Sequence, residues 1–356
     1  MLLTFGEIML RLSPEGFLRF RQAMPGLLES SFAGAEANVA AFSALMGKPA
    51  AFATALPDNP LADCVQATLR SVGVDTARII RTKAGRLGVF YCETGANQRA
   101  SQVVYDRDCS AISLAKPADY NFEELLSGIT WLHSTGITPS LSKNSFETLL
   151  ELAKKANSKG IKVSLDLNFR KKLWRWEEGT APQKLAERCM TQIAGCVDTL
   201  IANEEDASDV FGIKPAPGSF GPAIYKDAAQ KLFSKFPRLQ ACAFTLRDSV
   251  SATHNRWGAA LILKCGETHF APCDADGNYK PYDITSIVDR VGAGDSFAGA
   301  LIYALRSEKY KEPETAIRFA AAASCLKHSV KNDFALMSES EITDLMGGAA
   351  SGRIQR

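Results

Sequence analysis

Histidine is scarce: four in 356 residues, and His133, His254, His269 and His328 include no pair at metal-ligand spacing. A zinc centre is therefore not expected. Cysteine is more frequent, at nine, but no C-x-x-C pair occurs. Cys242 and Cys325 sit inside apolar runs, which suits reduced, buried thiols better than a disulfide framework. No apolar run approaches the roughly 20 residues that cross a bilayer. The opening Met-Leu-Leu-Thr-Phe-Gly-Glu has no basic segment, so a secretory leader is not expected and a cytoplasmic setting is. The net charge of +2 gives no general pull toward nucleic acid or an acidic membrane. The basic, aromatic stretch Arg170-Lys-Lys-Leu-Trp-Arg-Trp176 is short and isolated, and reads as a solvated loop.

Two nucleotide signatures are also missing. Gly47-Lys48 is followed by Pro49, which rules out an ordinary Walker A loop. Gly292 and Gly294 are followed by Phe297 where the third glycine of a dinucleotide fingerprint belongs.

What is present is an alternation of strand-like and helix-like stretches in a chain with 46% hydrophobic and 22% charged residues. That pattern predicts an α/β domain with a mostly parallel sheet covered by helices. Strands are expected at 2–9, 50–56, 131–134, 163–167, 199–202 and 241–246. Helices are expected at 35–46, 61–72, 145–158, 183–194 and 223–236. Two regions break the rhythm. Residues 11–33 carry no helical period, and 86–107 read as strands 87–94 and 102–105 joined by Gly-Ala-Asn-Gln. Together they predict a small sheet beside the main one, able to cover a pocket or to pair with a second copy of the chain.

The stretch D-R-V-G-A-G-D, from Asp289 to Asp295, carries the chemistry. It follows the apolar pair Ile287-Val288 and precedes a helical run over 296–305, so the glycines are expected where a strand turns into a helix. Amides at a helix start point outward and attract anions, and glycine lets a phosphate approach the backbone. Asp295 in the same turn can take a proton from a hydroxyl held there. Positioning, anion stabilisation and a nearby base are what phosphoryl transfer needs. Taken alone, the same residues also serve as a helix cap and turn formers.

This stretch resembles the D-T-x-G-A-G-D signature of the ribokinase-like (PfkB) carbohydrate kinases. The resemblance continues, in order, through Gly6-Glu7, Ala33-Gly34-Ala-Glu-Ala-Asn38, Asp166-Leu-Asn168-Phe-Arg170, Asn203-Glu-Glu-Asp206 and Thr245. Gly-Glu-Ile-Met-Leu-Arg-Leu, Tyr105-Asp-Arg107 and the run from Asp166 through Trp174 are most similar to the bacterial 2-keto-3-deoxygluconate kinases within that family.

The resemblance implies one ribokinase-like domain over 1–356, with a β lid from about 11–33 and 86–107. It implies ATP as donor, Mg²⁺ and a potential K⁺ requirement, while the exposed strand edges of the lid hairpin lead to the expectation of a homodimer formed through it. Asp295 would be the general base, with Gly292, Ala293 and Gly294 as the anion hole. The acceptor would meet Gly34, Asn38, Phe90, Tyr105, Arg107 and Arg170. The two arginines match the carboxylate of a sugar acid. Asn203, Thr245, Arg247 and Asn332 would line the nucleotide site, with 322–332 near the adenine, and Asp206 would reach the metal through water. The alternatives are a kinase of another sugar or sugar acid, or a silent sugar-binding regulator. Four positions depart from the family pattern: Arg290 replaces threonine, Asp206 glutamate, Arg247 glycine and Phe90 tyrosine.

Overall fold

The computed structural model describes residues 1–203, 205–214 and 222–348. Among them fourteen strands form two sheets. In chain order they are β1 (Leu2–Phe5), β2 (Met9–Ser13), β3 (Glu29–Ala33), β4 (Ala50–Pro57), β5 (Ile79–Thr82), β6 (Gly88–Glu93) and β7 (Gln102–Asp106). There follow β8 (Trp131–Thr135), β9 (Lys162–Asp166), β10 (Thr199–Asn203), β11 (Ala241–Ser251), β12 (His254–Leu263), β13 (Thr268–Ala271) and β14 (Tyr282–Ile284).

The large sheet runs β5-β4-β1-β8-β9-β10-β11 in parallel and then continues antiparallel through β12 to β13, with β14 also on β12. Its central strands are short and apolar because both faces are covered. Successive side chains alternate between those faces. Leu3 and Phe5 pack on the side of helices Lys143–Ser158 and Pro182–Ala194, while Leu2 packs on the side of helices Ala35–Leu45, Ala293–Leu305 and Pro313–Lys327. Phe297 and Phe42 are fully buried on this second side, each burial contributing about 1.5–3 kcal/mol.

The small sheet has the order β3-β2-β6-β7. β2 is antiparallel to β3 and parallel to β6, and β6 and β7 form an antiparallel hairpin. The two rhythm-breaking regions thus combine into one sheet. It is entered from β1 and from β5, and left into helix Ala35–Leu45 and the short helix Ala111–Leu114.

Three expectations are corrected. The single strand expected over 2–9 is two strands in different sheets, with Gly6, Glu7 and Ile8 crossing between them. Apolar continuity hides such a change of sheet. Gly6 marks it, because a β-carbon there would collide with the Glu36 carboxylate. The strand expected over 241–246 extends to Ser251 and turns into β12, and β12 to β14 were not anticipated. No strand precedes the 296–305 run directly. Residues 285–292 form a loop in which the Val288 and Asp289 amides both donate to the His328 carbonyl, at 2.8 and 3.3 Å.

No helix among the described residues is long and apolar enough to cross a membrane.

Candidate active site

A cavity of about 420 Å³ opens at the carboxyl ends of the parallel strands, with Met9, Phe90, Val103 and Tyr105 of the small sheet across it. Open α/β sheets offer ligand crevices at this end because strands terminate there and loops diverge. Asp166 ends β9 and Asn203 ends β10, while Thr245 and Arg247 lie along β11. The cavity brings together Gly34, Asn38, Phe90, Tyr105, Arg107, Arg170, Asn203, Asp206, Thr245, Arg247, Gly292, Ala293, Gly294 and Asp295.

Gly292 caps helix Ala293–Leu305 in the left-handed region, at φ 84°. A β-carbon there would lie 2.5 Å from the Asp333 carbonyl oxygen. The Gly292, Gly294 and Asp295 amides have no hydrogen-bond partner among the described residues, and the Ala293 amide has only a long contact of 3.4 Å to the Arg290 carbonyl. The α-carbon of Gly294 faces open space. A helix start with free amides and open space of this kind has the donors to receive an anion.

Asp295 stands in the first turn of this helix. Its Oδ2 accepts a 2.6 Å hydrogen bond from Asn38 Nδ2, and Asn38 is fixed on helix Ala35–Leu45. Burial pushes the Asp295 carboxyl above the usual aspartate range, opposed by the Asn38 hydrogen bond and by the charges of Arg170 and Lys327. Burial, with the nearby Asp206 and Asp295, pushes Asp166 well up. Asp206 is raised by burial although its carboxylate accepts from the Asn203 and Phe169 amides, at 3.0 and 3.2 Å. Asn203 Oδ1 in turn accepts from the Glu205 and Asp206 amides. The middle of the Asn203–Asp206 motif, Glu204, lies outside the described residues.

The cations differ in their freedom. Arg107, buried, gives Nε to Glu7 Oε2 at 2.7 Å and Nη2 to the same oxygen, with its guanidinium 5.3 Å from the Tyr105 ring centre. Part of its fork is thus committed within the protein. Arg170 is exposed and lines the cavity, and no hydrogen bond ties down its guanidinium among the described residues. Arg247 sits mid-strand opposite Trp257 in the antiparallel pair β11–β12. Arg290 does not pair with Asp289. It donates to the Ser251 and Ala252 carbonyls at 3.1 and 2.8 Å, and burial and then Arg247 lower its pKa.

Asn332 is not brought to this cavity. It lines a second one of about 490 Å³, and its amide donates to Asp289 Oδ2 at 3.1 Å. Within the stretch 322–332 only His328 lines the first cavity. Glu7, Asp166, Asn255, Trp257 and Asp333 also line it and were assigned no role from sequence. A usable signal existed for Glu7: a charge inside an otherwise apolar, strand-like run is either paired or functional.

Comparisons with known proteins place the chain in a family. The chain matches the profile of the pfkB family carbohydrate kinases over residues 3–337. The crystal structure of the 2-dehydro-3-deoxygluconokinase of Thermotoga maritima superposes with a TM-score of 0.88 at 44% identity, covering 98% of this chain and 99% of that one. The 2-dehydro-3-deoxygalactonokinase of Haloferax volcanii is 32% identical over 99% of this chain and 98% of its own length. A 5-dehydro-2-deoxygluconokinase of Shouchella clausii is 27% identical over 86% and 84%. The fold is ribokinase-like. The chain belongs to the pfkB family and is a carbohydrate kinase.

Proposed function

We propose that the enzyme transfers the γ-phosphoryl group of ATP to the terminal hydroxyl of 2-keto-3-deoxygluconate, giving 2-keto-3-deoxy-6-phosphogluconate. The observation that carries this reading is the meeting of the Asp295 carboxylate with unbonded helix-start amides inside a cavity that Arg170 overlooks.

In this reading the acceptor hydroxyl lies against Asp295, which Asn38 orients, and gives up its proton to that carboxylate. The amides of Gly292, Ala293 and Gly294 receive the negative charge on the transferred group. Arg247 and Arg290 add positive potential on the donor side. Arg170 and the uncommitted edge of Arg107 receive the acceptor carboxylate, and Phe90 and Tyr105 exclude water above it. Mg²⁺, when bound, neutralises charge on the donor phosphates. Asp206 and Asn203 suit it, since such an ion takes one or two carboxylates and keeps much of its water. Both residues are partly engaged with backbone amides, which favours contact through water.

The names of the relatives keep isomeric acceptors in view. Turnover with ATP should be compared on 2-keto-3-deoxygluconate, its galactonate isomer, 5-keto-2-deoxygluconate and fructose. The highest kcat/KM is expected on the first. A strong preference for the neutral ketose would sink the carboxylate argument.

Arg170→Gln is expected to raise KM for the sugar acid roughly ten- to hundredfold, the scale of a lost hydrogen bond to a charged group, while leaving the slow turnover of fructose unchanged. An equal effect on both acceptors would remove Arg170 from carboxylate recognition.

The reaction should also depend on pH in a defined direction. Asp295 must be ionised to accept a proton, and burial raises its pKa. kcat/KM should therefore fall as pH drops through a value above the ordinary aspartate range. Asn38→Ala removes a hydrogen bond that favours the charged form, so the acid limb should move higher still. A pH–rate profile whose acid limb stays at ordinary aspartate values in both proteins would contradict this role.

A further inference from the structure

Beneath the amide cradle lies a buried charge cluster that the reaction as described does not use. Arg11, 3% exposed, comes from β2 of the small sheet, where it stands opposite Phe90 of the cavity. Its Nη1 reaches Asp289 Oδ2 at 2.8 Å and Asp333 Oδ2 at 2.7 Å. Nε donates to Ser13 Oγ at 3.1 Å, and Nη2 contacts Cys92 Sγ at 3.8 Å. Lys327, also buried, lies close enough for its charge to act on the same group, and donates Nζ to the Val330 carbonyl at 2.9 Å. Two positive side chains thus offset two negative ones.

Both aspartates adjoin the cradle, Asp289 through its carboxylate and Asp333 through its backbone. Asp289 Oδ1 accepts from the Val291 amide at 3.0 Å, and its Oδ2 accepts from the Asn332 amide at 3.1 Å. The Asp333 carbonyl oxygen fills the space where a β-carbon on Gly292 would lie. One guanidinium therefore holds two loops, one that carries Gly292 and one that Gly292 packs against.

We infer that Arg11 is a positioning residue for phosphoryl transfer: it ties the small sheet to the two loops that fix the amides of residues 292–295. This rests on the reading of those amides as the phosphoryl cradle. Stability alone is a poor explanation for the cluster, because a buried ion pair is often no better than apolar residues of the same volume. Without the guanidinium, Asp289 and Asp333 would face each other with one charge too many. Burial already pushes Asp333 up to about 6, against the pull of Arg11. The loops would then separate, or a proton would be taken up, and the cradle amides would shift.

Arg11 does not line the acceptor cavity, so its loss should appear in kcat rather than in acceptor affinity. Its side chain forms part of the wall of the second cavity, beside Asp289 and Asn332, which gives a small cation a route to the vacated place. The test uses Arg11→Ala and Arg11→Lys in the full chain. Arg11→Ala should lower kcat roughly ten- to a hundredfold, the range in which small misplacements act, with acceptor KM nearly unchanged. Arg11→Lys should recover part of the loss. Dilute, non-denaturing guanidinium should restore turnover in Arg11→Ala and not in the parent enzyme.

Folded Arg11→Ala with full kcat would overturn the inference. So would a loss shared equally by kcat and acceptor affinity that neither lysine nor guanidinium relieves. Should Arg11→Ala fail to fold, Arg11→Lys decides: reduced kcat at unchanged acceptor KM supports the inference, and full kcat overturns it. If Gly294→Ala were fully active, the cradle reading itself would fall. If Gly294→Ala is impaired while the Arg11 variants are fully active, only this inference falls.

Discussion

Asp295→Asn is expected to lower turnover at least about 100-fold, the scale of losing a general base, while the sugar acid still binds. The substitution keeps the side chain's shape, and its amide oxygen can still accept the hydrogen bond that Asn38 Nδ2 now makes at 2.6 Å. What it removes is the ability to take a proton. ATP consumption under saturating acceptor, paired with calorimetric titration of the acceptor, separates the two effects. Turnover within threefold of the parent enzyme would show that the proton goes elsewhere. Parallel loss of binding would show that the carboxylate holds the acceptor rather than deprotonates it.

The second large effect is a contrast between neighbouring glycines. Gly294→Ala should reduce turnover about tenfold or more, by obstructing an anion cradle whose donors are each worth up to several kcal/mol. Its added methyl meets no atom within 4 Å, and the position is helical, so stability should hold or rise by up to about 1 kcal/mol. Gly292→Ala should lose on both counts. At φ 84° a non-glycine residue costs about 1–2 kcal/mol, and the methyl would also press on the Asp333 carbonyl at 2.5 Å. Melting curves and kcat measured on both proteins make the comparison. A Gly294→Ala enzyme as stable and as active as the parent would mean that no phosphoryl group packs against that α-carbon.

Much of this was legible in the sequence because the determinants are local. The alternation of apolar runs foretold the parallel sheet, and the Gly-Ala-Gly-Asp order foretold a helix start with open amides. Phosphate chemistry needs short-range backbone geometry there, and short-range geometry is written in consecutive residues. What escaped was long-range. Arg107 looked free, but its partner Glu7 is a hundred positions away in the chain. Arg290 stands beside Asp289 in the chain, yet Asp289 is taken by Arg11 from the small sheet. Asn332 was placed near the nucleotide by analogy of order, yet a left-handed turn at φ 65° and the bond to Asp289 carry it to the other cavity. β12 went unseen because the chain reverses at Ala252 and Thr253 without a glycine or proline to announce it.

The chain passes between its two sheets at several separate points, leaving β1 at Phe5 and β5 at Thr82 and returning after Ala33 and Asp106. In the proposed reading, Phe90, Tyr105 and Arg107 would meet the acceptor from the small-sheet side, and Gly292, Ala293, Gly294 and Asp295 would carry the transfer from the other. If that reading holds, substitutions on strands Gly88–Glu93 and Gln102–Asp106 would retune which acceptor is chosen without touching the helix start at Gly292–Asp295.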